Sequence, residues 1–148
     1  MITYTLPFIL QGSLMAVDEF YFHERRGLPN WEKIGHPLDT LTTLVPLAFP
    51  IFFQFNYFSK GLFIIFAIFS CLFITKDEFI HRDICSKEEL WLHALLFVLH
   101  PIVFLSTYLM WSQNEGHLFL LLQPSLIFVF LLYQIFRWSS YGEKLKNK

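Results

Sequence analysis

Five stretches of mainly apolar residues, each close to the length of a bilayer crossing, divide this 148-residue chain. A transmembrane helix needs roughly 20 such residues to cross about 30 Å of hydrocarbon. The stretches run approximately Thr3–His23, Trp31–Phe55, Lys60–Arg82, Lys87–Trp111 and His117–Trp138. Composition agrees with this reading. Hydrophobic residues make up 55% of the chain and 19 are phenylalanine, more apolar surface than a soluble domain of this size can hide from water. The same figures exclude an intrinsically disordered chain. The first stretch lacks a basic start and a small-residue cleavage site and runs straight into Asp18-Glu19, so it reads as a helix and not as a signal peptide. The expected architecture is all-α, one integral membrane helical bundle spanning 1–148.

The connections alternate in charge. Tyr57–Ser59 and Ser112–Gly116 are nearly free of basic residues, and only Lys60 of the 11 basic residues falls on their side. The other side holds Arg25, Arg26, Lys33, Arg82 and Lys87, followed by a basic tail over 139–148. The positive-inside rule therefore predicts an outside N-terminus and a cytoplasmic C-terminus. A net charge of -1 gives no footprint for nucleic acid, and Cys71 and Cys85 are too few for a disulfide scaffold.

Acidic residues are confined further. Ten of the 12 lie between Asp18 and Asp39 or between Asp77 and Glu89, and His23, His36, His81 and His93 lie in or beside these windows. Both windows fall on the expected cytoplasmic side. They also share an order. Asp18-Glu19-Phe20 precedes His23, and Glu32 and His36 open the next helix; Asp77-Glu78-Phe79 precedes His81, and Glu89 and His93 open the next. The expected organisation is a parallel repeat of two-helix units, about 3–56 and 60–111, with a fifth helix over about 117–138 appended to a four-helix site.

Residues three or four apart share a helix face. Glu19 and His23, Glu32, His36 and Asp39, Glu78 and His81, and Glu89, His93 and His100 thus form four polar stripes that a bundle can aim at one axis. A carboxylate at the bilayer centre costs about 2.5–3.5 kcal/mol on insertion scales, so buried acids need partners. Carboxylate oxygen and neutral imidazole together are what a divalent transition metal takes. The candidate ligands are Glu19, His23, Glu32, His36, Glu78, His81, Glu89 and His93. Asp39, Asp77 and His100 are candidates for proton handling, with Asp39 and His100 read as a deeper buried pair. Bland explanations exist for single members: Ser86 can cap the helix that Glu89 opens, Asn30 can cap the one that Glu32 opens, and Glu24, Asp83 and Glu88 read as solvated or paired with Arg25, Arg26, Arg82 and Lys87.

The pattern resembles the di-iron and di-manganese carboxylate four-helix-bundle proteins, which combine lone Glu ligands with Glu-x-x-His pairs. Glu78-Phe79-Ile80-His81 matches that pair, and Glu19, Glu32 and Glu89 supply further carboxylates, the likeness covering about 18–39 and 77–100. It departs in using i,i+4 spacing elsewhere and in bringing four His instead of two. The resemblance implies two divalent ions, with iron favoured and zinc or manganese open. The expected function is a metal-dependent membrane oxidoreductase acting on a lipid or quinone at the cytoplasmic face. The alternatives are a zinc-dependent lipid hydrolase and a protein that transports or senses a divalent metal; a bis-His haem carrier is disfavoured by the crowd of carboxylates.

Overall fold

The computed structural model describes residues 2–139, without the side chains of Ile2, Asp77 and Ile80; the expected basic tail lies, but for its first residue, outside them. The described residues form five helical rods and no strand. The first rod is α1 (Ile2–Val17), a π-helical turn over Asp18–His23, and α2 (Glu24–Arg26). It stops at Gly27, whose φ of +73° is a conformation that side chains with a Cβ resist. The second rod is α3 (Glu32–Phe52). The third is α4 (Tyr57–Phe73), a 3₁₀ turn over Ile74–Asp77, and α5 (Glu78–Ile84), followed by α6 (Lys87–Ser112) and α7 (His117–Arg137).

Local chemistry sets the starts. Asn56 and Ser59 form a reciprocal capping box at α4, and Ser86 Oγ accepts from the Glu89 amide at α6. The expected Asn30 cap of α3 is absent. Trp31 occupies that position without a side-chain cap, and Asn30 Oδ1 instead accepts from Lys33 Nζ at 3.5 Å.

Three helices are long and apolar enough to cross a membrane: Tyr57–Ile84, Lys87–Ser112 and His117–Arg137. Their outer faces carry large exposed apolar side chains such as Ile65, Leu72, Val98, Leu105, Leu126 and Val129. α3 is more polar along its length, holding Pro37, Pro46 and Pro50 and the buried Thr40 and Thr43.

Packing does not follow the expected hairpins. α3 packs most extensively on α7 and next on α4, whereas α1 packs on α6. The fifth helix is therefore no appendage; it is the main neighbour of α3. The apolar core, with Phe49, Phe63, Phe104, Met110 and Trp111, fills the end of the bundle away from the acidic windows. Trp111 Nε1 ties that end by donating to the Phe53 carbonyl at 3.1 Å. Polar side chains gather at the other end.

Candidate metal centre

The π turn sets the first half of the site. A π turn brings residues five apart onto one face, so Asp18 joins Glu19 and His23 in pointing inward, and all three are buried. His23 Nε2 lies 3.4 Å from Asp18 Oδ2, and Nδ1 lies 3.6 Å from Glu19 Oε2. Glu19 is itself held from behind. Trp138 Nε1 donates to Oε1 at 2.6 Å, and Gln134 Nε2, whose own carbonyl accepts from Thr40, donates to Oε2 at 3.0 Å. Glu19 therefore stands behind His23, its own carboxylate fixed by Trp138 and Gln134.

The first turns of α3 and α6 supply Glu32 with His36 and Glu89 with His93. Arg26 joins the two helix starts. Its Nη2 donates to Glu32 Oε2 at 2.8 Å and to Glu89 Oε1 at 3.1 Å, and Nε reaches Glu89 Oε1 at 3.3 Å. His93 Nε2 meets Asp18 Oδ1 at 3.1 Å, and His81 Nε2 lies 3.4 Å from Glu32 Oε1. The rings form a chain, with centroids 4.4 Å apart for His23 and His36, 6.1 Å for His36 and His81, and 4.5 Å for His81 and His93.

This arrangement lacks ordinary hydrogen bonds where they would be expected. Both ring nitrogens of His23, both of His81, Nε2 of His36 and Nδ1 of His93 are buried without a hydrogen-bond partner. Several face a carboxylate oxygen at 3.4 to 4.0 Å, too far or too oblique for a hydrogen bond. Two ligand atoms each about 2.1 Å from a tetrahedral ion stand about 3.4 Å apart, which is the spacing seen here. Three sets of donors lie close enough to share an ion: Asp18, His23, Glu89 and His93; His23, Glu32 and His36; and His81, Cys85 and His93. Of the four buried carboxylates of Asp18, Glu19, Glu32 and Glu89, Arg26 pairs with those of Glu32 and Glu89. Protonated imidazole or bound cations must balance the remainder. The donor set thus fits divalent metal.

A cavity of about 110 Å³ adjoins the cluster, bordered by Asp18, His36, His81 and His93 on one side and by Met15, Leu96, Phe97 and Phe130 on the other. Asp39 and His100 line it too, though not as the expected pair. Asp39 is ion-paired with Lys76. His100 Nδ1 accepts from Gln11 Nε2 at 3.1 Å, so Nε2 carries the proton and donates to Ser70 Oγ at 2.9 Å. Ser70 donates onward to Thr42, and Thr42 to the Asp39 carbonyl. This chain of donors, ending on a backbone carbonyl, fastens α1, α6, α4 and α3 together. At the opposite end, a separate polar cavity lined by Gln54, Asn114 and His117 shares no residue with this one, and the apolar core lies between them.

Of the expected ligands, His23, Glu32, His36, His81, Glu89 and His93 converge on the cluster. Glu19 sits one layer behind it. Glu78 is exposed and joins none of the three donor sets, so the Glu-x-x-His pair that carried the likeness to di-iron bundles is not assembled around one point. Asp77 lies outside the residues whose side chains are described. Glu24 pairs with Arg137, and Arg26 turns inward. Asp18, Arg26, Gln134 and Trp138 are participants that helical spacing alone did not pick out. Asp18 was legible only as the five-residue interval to His23, and nothing in the spacing pointed to Gln134 or Trp138. No protein-family model, curated protein or solved structure significantly matches the chain.

Proposed function

We propose that this chain is an integral membrane metalloenzyme that oxidises a lipid or quinone at a dinuclear His/carboxylate centre. The observation that carries this reading is the set of six buried, unpartnered imidazole nitrogens gathered among Asp18, Glu32 and Glu89. Asp18, Glu89 and His93 would hold one ion and Glu32 and His36 the other. His23 belongs to both donor sets and stands between them. Two His with one carboxylate is the donor set of non-haem iron oxygenases, and iron bound here would supply oxygen activation. The chain's own residues do the rest: Glu19 sets a fixed carboxylate behind the His23 ring, Arg26 keeps Glu32 and Glu89 facing each other, and Leu96, Phe97 and Phe130 give the adjoining cavity an apolar wall. The basic rim would place the centre at the cytoplasmic face, with all five rods spanning the bilayer. The two windows read as copies of one two-helix unit.

Protein purified from metal-replete cells is expected to carry about two iron ions per chain and to absorb in the near-ultraviolet and visible when ferric. His23→Ala and His93→Ala should each remove most of that metal, since each residue serves two of the three donor sets. Metal far below one ion per chain would overturn the reading. A zinc-dependent lipid hydrolase is the second reading, favoured by the Arg26 guanidinium, which sets a fixed cation beside the carboxylates where an oxyanion could form. Metal-replete protein holding zinc, with no absorption in the visible, would select it.

A further inference from the structure

A second cavity, of about 300 Å³, lies between α1 and α7 and is walled almost entirely by apolar groups, Phe8, Leu47, Val103 and Phe119 among them. Two aromatic contacts tie the helices at either end of it: Phe8 against Phe119, with centroids 4.9 Å apart, and Phe20 against Tyr133 at 5.3 Å. Between these ties Gly12 supplies no side chain, and a Cβ built on it would meet nothing within 4 Å. Ile9, Leu122 and Leu126 on the rim are exposed, whereas Thr43 and Leu47 are buried. The cavity is therefore a slot that opens sideways, onto the surface that lipid would cover.

The slot adjoins the cavity beside the His/carboxylate cluster. Gln11, Met15 and Thr43 line both it and the smaller cavity that Asp18, His36, His81 and His93 border. The helix from Phe8 to Asp18 covers about 15 Å, so the slot runs from the centre toward the middle of the bundle. Two amides break its apolar wall. Gln11 Oε1 and Gln123 Oε1 are buried acceptors without a hydrogen-bond partner, and both residues line the slot. Gln11 cannot swing away, because its Nε2 is committed to His100. Unpaired buried acceptors are expensive in apolar surroundings and mark where a donor belongs.

We propose that this slot seats the aliphatic chain of a membrane lipid whose head carries a hydroxyl or amide donor. The chain enters between α1 and α7 past Gly12, the head donates to Gln11 Oε1, and the reacting end reaches the His/carboxylate cluster. The seat names the substrate class for the proposed metalloenzyme. It rests on that reading for its chemistry but not for its occupancy, so the two can fail separately.

The test uses the full chain in lipid nanodiscs and a long-chain alcohol bearing a mid-chain diazirine. After photolysis, adducts are mapped by peptide mass spectrometry and metal is measured on the same sample. Adducts are expected on the buried Thr43–Leu47 segment as well as on outward residues such as Leu126. Gly12→Phe, which fills the opening, should lower the buried adducts about tenfold or more while leaving metal content unchanged. Gly12→Ala, whose methyl meets nothing, should keep them and controls for folding. Adducts confined to outward residues, or buried adducts indifferent to Gly12→Phe, overturn the seat. Metal-free protein that still labels at Thr43–Leu47 overturns the metalloenzyme and upholds the seat, and metal-loaded protein without buried adducts does the reverse.

Discussion

The windows Asp18–His36 and Asp77–His93 carry nearly the same residue order on helices that depart from α geometry in opposite directions, one loosened and one tightened. In the first, five residues separate Asp18 from His23, and a π turn absorbs the extra residue. In the second, four separate Asp77 from His81, and the helix tightens to 3₁₀ over Ile74–Asp77 before α5 begins. The looser winding turns Asp18, Glu19 and His23 inward together. The tighter one brings His81 in and leaves Glu78 outside. The ring pairs nonetheless match, at 4.4 Å for His23 and His36 and 4.5 Å for His81 and His93. Each half also reaches into the other, with His81 3.4 Å from Glu32 and His23 4.0 Å from Glu89. Winding, more than residue order, decides which acids join the centre.

Arg26 is the widest asymmetry, because the end of the first rod brings a guanidinium to the cluster and the loop after α5 brings the thiol of Cys85. In metal-free protein, Arg26→Gln leaves the buried Glu32 and Glu89 carboxylates facing each other without the guanidinium between them. Breaking a buried ion pair from one side costs about 3–5 kcal/mol, so thermal unfolding in detergent should shift by the largest amount of any single change considered. Added divalent metal should recover more stability in this variant than in the parent, since a bound cation replaces the missing charge. A parent-like melting curve would show that Arg26 does not hold the two halves together.

A smaller effect separates Glu19 from Glu78. Glu19→Gln removes the charge from an acceptor that serves Trp138 and Gln134 at once and faces His23 Nδ1 at 3.6 Å, and hydrogen bonds to charged groups contribute about 1.5–3 kcal/mol. Glu78→Gln, on an exposed side chain, should stay within about 0.5 kcal/mol. Equal shifts in denaturant or thermal unfolding would erase the distinction between the inward and outward acid.

These contrasts also mark what could be read without coordinates. Helix number and extent were legible because apolar run length is a strong signal, and the pairing of Glu32 with His36 and of Glu89 with His93 followed from regular α-helical spacing. Asp18 and Glu78 were exchanged because α-helical periodicity was assumed through both windows, and a π or 3₁₀ turn rotates every residue beyond it. Arg26 reads from the sequence only as a partner for Glu24, Asp83 or Glu88, because a residue at the very end of a helix lies beyond the apolar periodicity from which direction is inferred. Gln134 and Trp138 were out of reach for a different reason. They lie more than a hundred residues from Glu19, on a helix whose neighbour in space is set by side-chain packing and not by chain order. The split of Asp39 from His100, toward Lys76 and toward Gln11 and Ser70, has the same origin.

The smallest expected effect concerns Cys85, which with His81 and His93 forms the third donor set and has no counterpart thiol in the first half. Burial, with the Glu89 carboxylate nearby, pushes its thiol up to about 12, whereas a thiolate is what binds metal or attacks as a nucleophile. That state belongs to the metal-free protein, and the oxygen and imidazole donors of the other two sets offer ions a place without the thiol. Cys85→Ser should therefore leave metal content unchanged and stability within about 0.5 kcal/mol. Cobalt-substituted parent protein should show no thiolate-to-cobalt charge-transfer band. If that band is present and vanishes in Cys85→Ser, the second half contributes a sulfur ligand that the first does not, and the centre is two unlike sites instead of a matched pair.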